Sequence, residues 1–190
     1  MNADDLERVV VIGTSGSGKT TLARDLSRRL DLEHIELDML HWLPDWQEQT
    51  TSVFRAKVEA AVARERWVVD GNYGKVRDLV WPRATTLIWL DYSFARIMAR
   101  ALRRTLRRSL TREPLFAGNR ESLWRSFFSR DSILLWVVSS YGRHRSEYAR
   151  IIASGRYAAL RMLVFRHPSA TCAFLRELPG RTPSRAGPAL

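Results

Sequence analysis

The sequence predicts an α/β protein: about five parallel strands sandwiched between helices in three layers, with a helical insertion between the fourth and fifth strands. Three observations carry this expectation. Short apolar, β-branched runs alternate along the chain with stretches of helical period. The first run, residues 9–12 (VVVI), is continuous rather than alternating, as expected of a strand buried on both faces. In residues 94–108, Phe94, Ile97, Met98, Ala101, Leu102, Thr105 and Leu106 form one helical stripe, while Arg96, Arg100, Arg103, Arg104, Arg107 and Arg108 take the other face.

Each element follows in order. After the first strand, Leu22, Ala23, Leu26 and Leu30 recur at helical spacing from Thr20 onward. Residues 33–38 (EHIELD) alternate weakly and read as a second strand ending at Asp38. Phe54, Val58, Ala61 and Val62 predict a helix over about 52–65, and 67–73 (WVVDGNY) a short strand closed by the Asp70-Gly71 turn signal. Residues 85–91 (TTLIWLD) have the strongest β propensity. The Arg-rich helix follows, then a loop at 111–122 and two helices in 123–153, broken near 139–142. Residues 157–165 predict the fifth strand and 169–178 a closing helix, and the Pro- and Gly-rich tail 179–190 is expected to be disordered. One domain over 1–178, with its insertion at about 93–154, accounts for the chain.

Apolar residues make up 45% of the 190 and charged residues 27%, a globular balance. The longest apolar run, 133–138, is far short of the ~20 residues a membrane span needs. The acidic start lacks the basic, apolar character of a secretory signal, so a cytoplasmic protein is expected. Cys172 is the single cysteine, which excludes an intramolecular disulfide; it reads as a small buried apolar residue. The net charge of +11 would attract nucleic acid, anionic lipid or phosphorylated metabolites. Only three of the 31 basic residues are lysines: Lys19, Lys57 and Lys75. Lys19 stands out against that background, because a slim point charge can thread a tight loop where a planar guanidinium cannot.

Gly13, Gly18, Lys19 and Thr20 match G-x-x-x-x-G-K-[ST], the phosphate-binding loop of P-loop NTPases, with the required strand before and helix after. The glycines let backbone N–H groups converge on phosphate oxygens, and the helix N-terminus adds its positive dipole end. Gly13, Ser15, Gly16, Ser17, Gly18, Lys19, Thr20 and Thr21 are therefore expected to hold ATP. Lys19 would reach the β- and γ-phosphates, and the Thr20 hydroxyl would bind Mg²⁺. An Asp at a neighbouring strand end should help hold the hydrated ion, and Asp38, Asp70 and Asp91 qualify.

With these residues in view, the chain resembles the nucleoside-monophosphate-kinase-like branch of P-loop kinases, which holds adenylate and shikimate kinases. The segment VVDGNY is similar to that branch's third-strand Asp-Gly turn, LIWLD to its fourth strand before an Arg-rich lid, and LVFRHPSATCAFLREL to its last strand and helix. ELDMLHWLPDW, WVVDGNYGKVRD, GNRES and DSILLW further resemble the bacterial adenylate-kinase-like proteins labelled topology modulation proteins, over about residues 8–178.

The resemblance implies Mg²⁺-dependent transfer of the ATP γ-phosphate to a nucleotide or other small acceptor. It implies Asp70 on the metal side and Asp38 on the substrate side, as a base for an acceptor hydroxyl or as a partner of Mg²⁺. A turn cap is the other reading of Asp38. Arg100 and Arg104, with Arg103 and Arg107, would bring lid guanidinium groups to the transferring phosphoryl. Arg143 and Arg145 are weaker lid candidates. Trp42, with His41 and Trp46, could line an acceptor pocket, and Asn72, Arg77 and Arg120 could hold the acceptor. Adenylate kinases carry an aromatic, a Pro and an Arg after the Asp-Gly turn; here Asn72-Tyr73 follow, which argues against AMP. Two further readings stay open: a nucleic-acid-binding P-loop ATPase or regulator, favoured by the charge, and a toxin-like kinase acting on a nucleotide sugar.

Overall fold

The computed structural model describes residues 6–111 and 133–178. Strands β1 (Arg8–Gly13), β2 (Glu33–Glu36), β3 (Trp67–Asp70), β4 (Thr86–Leu90) and β5 (Arg161–Phe165) form one parallel sheet in the order β2-β3-β1-β4-β5. The described helices are α1 (Lys19–Leu30), α2 (Leu37–His41), α3 (Thr51–Ala61), α4 (Arg77–Val80), α5 (Phe94–Thr111), α6 (Ile133–Ala153) and α7 (Pro168–Glu177). Short 3-10 turns lie at Pro44–Trp46, Gly74–Val76 and Trp81–Arg83.

The central place of β1 explains its unbroken apolar run. Successive side chains of a strand point to opposite faces. Val9 and Val11 enter one core with Leu22, Leu26 and Leu30 of α1, Ile97 of α5 and Phe174 of α7. Val10 and Ile12 enter the other, with Phe54 and Val58 of α3, Trp81 of the turn Trp81–Arg83, and Tyr148 of α6. Three layers follow, and the loops at the carboxyl ends of the strands converge over the sheet, where ligands of open α/β sheets bind. No described helix is long and apolar enough to cross a membrane.

Several expected boundaries shift. β2 ends at Glu36, because Leu37 turns the chain into α2 and packs against Gly71; Asp38 thus sits in a helical turn rather than at a strand end. The expected break at 139–142 is absent, and α6 runs through Gly142. Tertiary ties override the local helix cost there: Tyr141 Oη donates to Tyr92 O at 3.2 Å, and Arg145 grips Asp91. β5 starts only at Arg161, because the turns around Gly155 (φ +67) consume residues 154–160. Cys172 is exposed, contrary to expectation: α7 buries Thr171 and Phe174, which turns Cys172 to the opposite side. Of the loop expected at 111–122, Thr111 instead closes α5, and 112–122, the first part of the following helical region (123–132) and the tail 179–190 lie outside the described residues.

Candidate active site

The loop between β1 and α1 is a tight turn, with Ser17 N donating to Thr14 O at 3.0 Å. Gly18 occupies the N-cap of α1 in the left-handed region (φ 98, ψ 22), open to glycine without strain. No side chain caps α1, so its first N–H groups face the loop, as an anion requires. Lys19 starts the helix and folds back, its Nζ donating to Gly13 O at 2.9 Å and Thr14 O at 3.4 Å. Burial pulls the Lys19 ammonium below the ordinary lysine value, the Asp38 and Asp70 carboxylates push it back up, and the Arg104 guanidinium lowers it again. These four charged groups therefore share one electrostatic neighbourhood. Thr20 is half-buried in the first turn of α1, and Thr21 is exposed.

α5 lies across this loop. A Cβ on Gly16 would stand 3.2 Å from Ala101 Cβ and from Ile97 O, so a glycine there lets the helix lie this close, while one on Gly18 would meet the tip of the Arg100 side chain, with Nη2 at 2.7 Å. Arg104 Nη2 reaches Ser15 Oγ at 3.3 Å. Arg100 and Arg104, one helical turn apart, thus meet the loop; Arg104 is half-buried, and Arg100, Arg103 and Arg107 are exposed. On the outer side of α5, Ser93, Arg96, Arg100 and Arg103 line a groove of about 400 Å³.

The three acidic candidates separate by environment. Asp70 ends β3 and is 3% exposed; its Oδ1 lies 3.7 Å from His34 Nε2, and its Oδ2 is buried without a hydrogen-bond partner. Register places Glu36 opposite Asp70, and burial together with the Asp70 charge raises the Glu36 carboxyl above its usual range. Asp38 accepts a hydrogen bond from Tyr73 Oη at 2.5 Å. Asp91 is gripped by Arg145, with Nε at 2.9 Å from Oδ1 and Nη2 at 3.1 Å from Oδ2, and ties α6 to the end of β4.

The buried Asp70 carboxylate with its unpartnered oxygen and the hydroxyl of Thr20 in the first turn of α1 are the hard oxygen donors that Mg²⁺ prefers. Thr20 and Asp70 therefore fit the ion, whereas both Asp91 oxygens are engaged by arginine.

The substrate-side candidates scatter. Arg77 Nη2 pairs with Glu147 Oε1 at 2.7 Å, and its guanidinium lies 5.1 Å from the Trp81 ring and 5.9 Å from the Tyr148 ring. It borders a crevice lined also by Leu37, Tyr73 and Tyr148, whose roughly 10 Å³ takes about one water. Asn72 turns its amide to Gly13 rather than outward. His41, Trp42 and Trp46 form a chain of ring contacts, with His41–Trp42 centroids at 5.0 Å and Trp42–Trp46 at 5.6 Å. His41 is buried within it and also meets Tyr73 and Phe54. Arg143 is exposed, and Arg120 lies outside the described residues.

Sequence reasoning missed Tyr73, Glu147 and His34 as neighbours of these groups. No local spacing signals them, since each meets its partner 35 or more residues away.

Comparison with known proteins agrees with this architecture. A model of the ATPase family associated with various cellular activities (AAA) matches residues 9–70, from the β1 strand to Asp70. Shikimate kinase from Bacteroides thetaiotaomicron is similar in structure, with a TM-score of 0.53 at 12% identity over 90% of this chain and 94% of that one. Shikimate kinase from Acinetobacter baumannii in complex with shikimate gives 0.53 at 14% over 90% of each chain. A gluconokinase from Sinorhizobium meliloti gives 0.50 at 17%, over 90% and 89%. No curated protein matches the sequence significantly. With its 2-3-1-4-5 parallel sheet and the phosphate loop after the central strand, the chain has the P-loop NTPase fold in the architecture of these small kinases.

Proposed function

We propose that this chain is an ATP-dependent kinase, moving the γ-phosphate of Mg²⁺-ATP to a hydroxyl of a small-molecule acceptor. The observation that carries the reading is Lys19 at the head of α1, its ammonium folded back onto Gly13 O and Thr14 O of the phosphate loop, with Arg104 on Ser15 of the same loop. In this reading Lys19 and Arg104 would meet the terminal phosphates, and Asp70 and Asp38 would serve the metal and the acceptor proton. The fold neighbours named above are kinases of small molecules, which supports the same reaction class.

The loop amides and the start of α1 bind the phosphates, Lys19 holds the β- and γ-phosphate oxygens, and Arg100 and Arg104 offset the charge that spreads over the transferring group. Thr20 and Asp70 hold Mg²⁺, which when bound neutralises phosphate oxygens. Asp38 takes the acceptor hydroxyl proton on Oδ2, the acceptor oxygen bonds to Pγ, the bond from Pγ to the bridging oxygen breaks, and ADP leaves. The Ser93, Arg96, Arg100 and Arg103 groove is open to the rest of the nucleotide.

The test is ATP-to-ADP conversion with Mg²⁺ across nucleoside monophosphates, nucleosides, nucleotide sugars, sugar acids and duplex DNA. Lys19→Ala is expected to stay folded and lose turnover by 10²-fold or more. Stimulation by one small molecule supports the kinase reading and names its acceptor. Stimulation by DNA alone, falling steeply with salt, would replace it with the nucleic-acid-dependent ATPase.

A further inference from the structure

The sheet order places β3 between β1 and β2. The residues that continue β3 past Asp70 therefore run between the phosphate loop, which follows β1, and α2, which follows β2. Gly71 (φ +137) makes the passage possible: a Cβ there would stand 2.8 Å from Leu37 Cβ at the head of α2. Two consecutive side chains then reach opposite ways. Asn72 Oδ1 accepts from Gly13 N at 3.3 Å and its Nδ2 donates to Gly13 O at 2.5 Å, so one amide grips both sides of the residue that opens the loop. Gly13 O is also the acceptor of Lys19 Nζ. Tyr73 sends its hydroxyl to Asp38 Oδ1 at 2.5 Å, while its ring rests on His41 and Phe54 with centroids 4.6 and 5.2 Å away.

Resting on the kinase reading, we infer that Asn72 and Tyr73 are paired positioning residues: Asn72 sets the phosphate loop and Lys19 through Gly13, Tyr73 sets Asp38, and their adjacency holds the donor and acceptor groups in one register. The amide at 72 serves both groups at once, its NH₂ end donating to the Gly13 carbonyl and its oxygen accepting from the Gly13 N–H. At 73 a phenol supplies a hydroxyl on a ring rigid enough to be fixed by packing.

The two residues should fail differently. Asn72→Ala is expected to weaken Mg²⁺-ATP binding about tenfold in titration calorimetry and to speed hydrogen exchange of the Gly13 amide, and Asn72→Asp, which sets a carboxylate oxygen against the Gly13 carbonyl and beside an anionic ligand, should weaken ATP binding at least as much. Tyr73→Phe keeps the ring and should leave ATP affinity within about twofold while lowering kcat about tenfold with the identified acceptor. A purely structural role would move ATP affinity and kcat together in both variants and lower both melting temperatures, and that result overturns the proposal. Unchanged ATP affinity and unchanged Gly13 exchange in Asn72→Ala overturn it as well. If the wild-type chain binds no Mg²⁺-ATP, the kinase reading itself fails, and the proposal with it.

Discussion

Asp70 and Asp91 stand at the ends of strands that flank β1 on either side, yet they do opposite things. Asp70 keeps a buried oxygen without a partner beside the phosphate loop, whereas Asp91 spends both oxygens on Arg145. Asp70→Asn is accordingly expected to raise the Mg²⁺ concentration needed for half-maximal turnover and to cut the rate about 10²-fold. Asp91→Asn should leave the Mg²⁺ requirement near that of wild type and lower the melting temperature, because it breaks the tie between β4 and α6. A magnesium titration of both variants decides the assignment; the reverse order would move the metal role to β4. The contrast was not legible in the sequence, where both residues are an Asp after a β-branched run. What separates them is a guanidinium 54 residues downstream.

Among the elements, α6 shows most directly how tertiary contacts overrule a local signal. Gly142 marks a helix break by propensity, yet α6 continues through it, with Tyr141 on Tyr92 O, Arg145 on Asp91 and Glu147 on Arg77. A Cβ at position 142 would meet nothing within 4 Å. Gly142→Ala is therefore expected to stabilise the protein by about 0.5–1 kcal/mol, read as a shift in the urea midpoint at constant slope. A destabilised variant would mean that the helix needs its glycine for a second conformation. α5 illustrates the other case. Of its predicted stripe, Ile97, Ala101 and Thr105 are buried, legible because 3.6-residue periodicity is local, whereas Phe94, Leu102 and Leu106 are exposed, contrary to expectation. That Arg100 and Arg104 are laid on the loop follows from the rotation at which Ala101 meets Gly16.

For the molecule as a whole, two histidines set a pH dependence, His41 buried and His144 half-buried. Burial holds His41 and His144 below the ordinary imidazole value of 6.5. The unfolded chain therefore takes up more protons than the folded one as pH falls below 6.5, so the stability present above that value is lost on acidification through the folded-state values. The melting temperature should drop between about pH 7 and pH 5, more than exposed histidines would produce. His41→Phe, which fits among Trp42, Phe54 and Tyr73, should flatten that drop; an unchanged slope would assign the acid sensitivity elsewhere.

By itself, the sequence determined what is written in neighbouring residues. The strand, loop and helix at 8–30 was legible in full, because the glycine spacing, the single lysine and the apolar period all act within one short segment. The parallel sheet followed from alternating strand and helix signals, and TM-scores of 0.50 to 0.53 with three small kinases over nine-tenths of the chain agree with it. The tertiary structure alone decided the neighbours of each charge: Asn72 on Gly13, Tyr73 on Asp38, Arg77 on Glu147, and Arg145 on Asp91. Those pairs are brought together by a strand order of 2-3-1-4-5, which joins residues 35 to 70 positions apart. A carboxylate's role depends on the charge, burial and hydrogen bonds around it, and those are properties of the packed chain rather than of the residue.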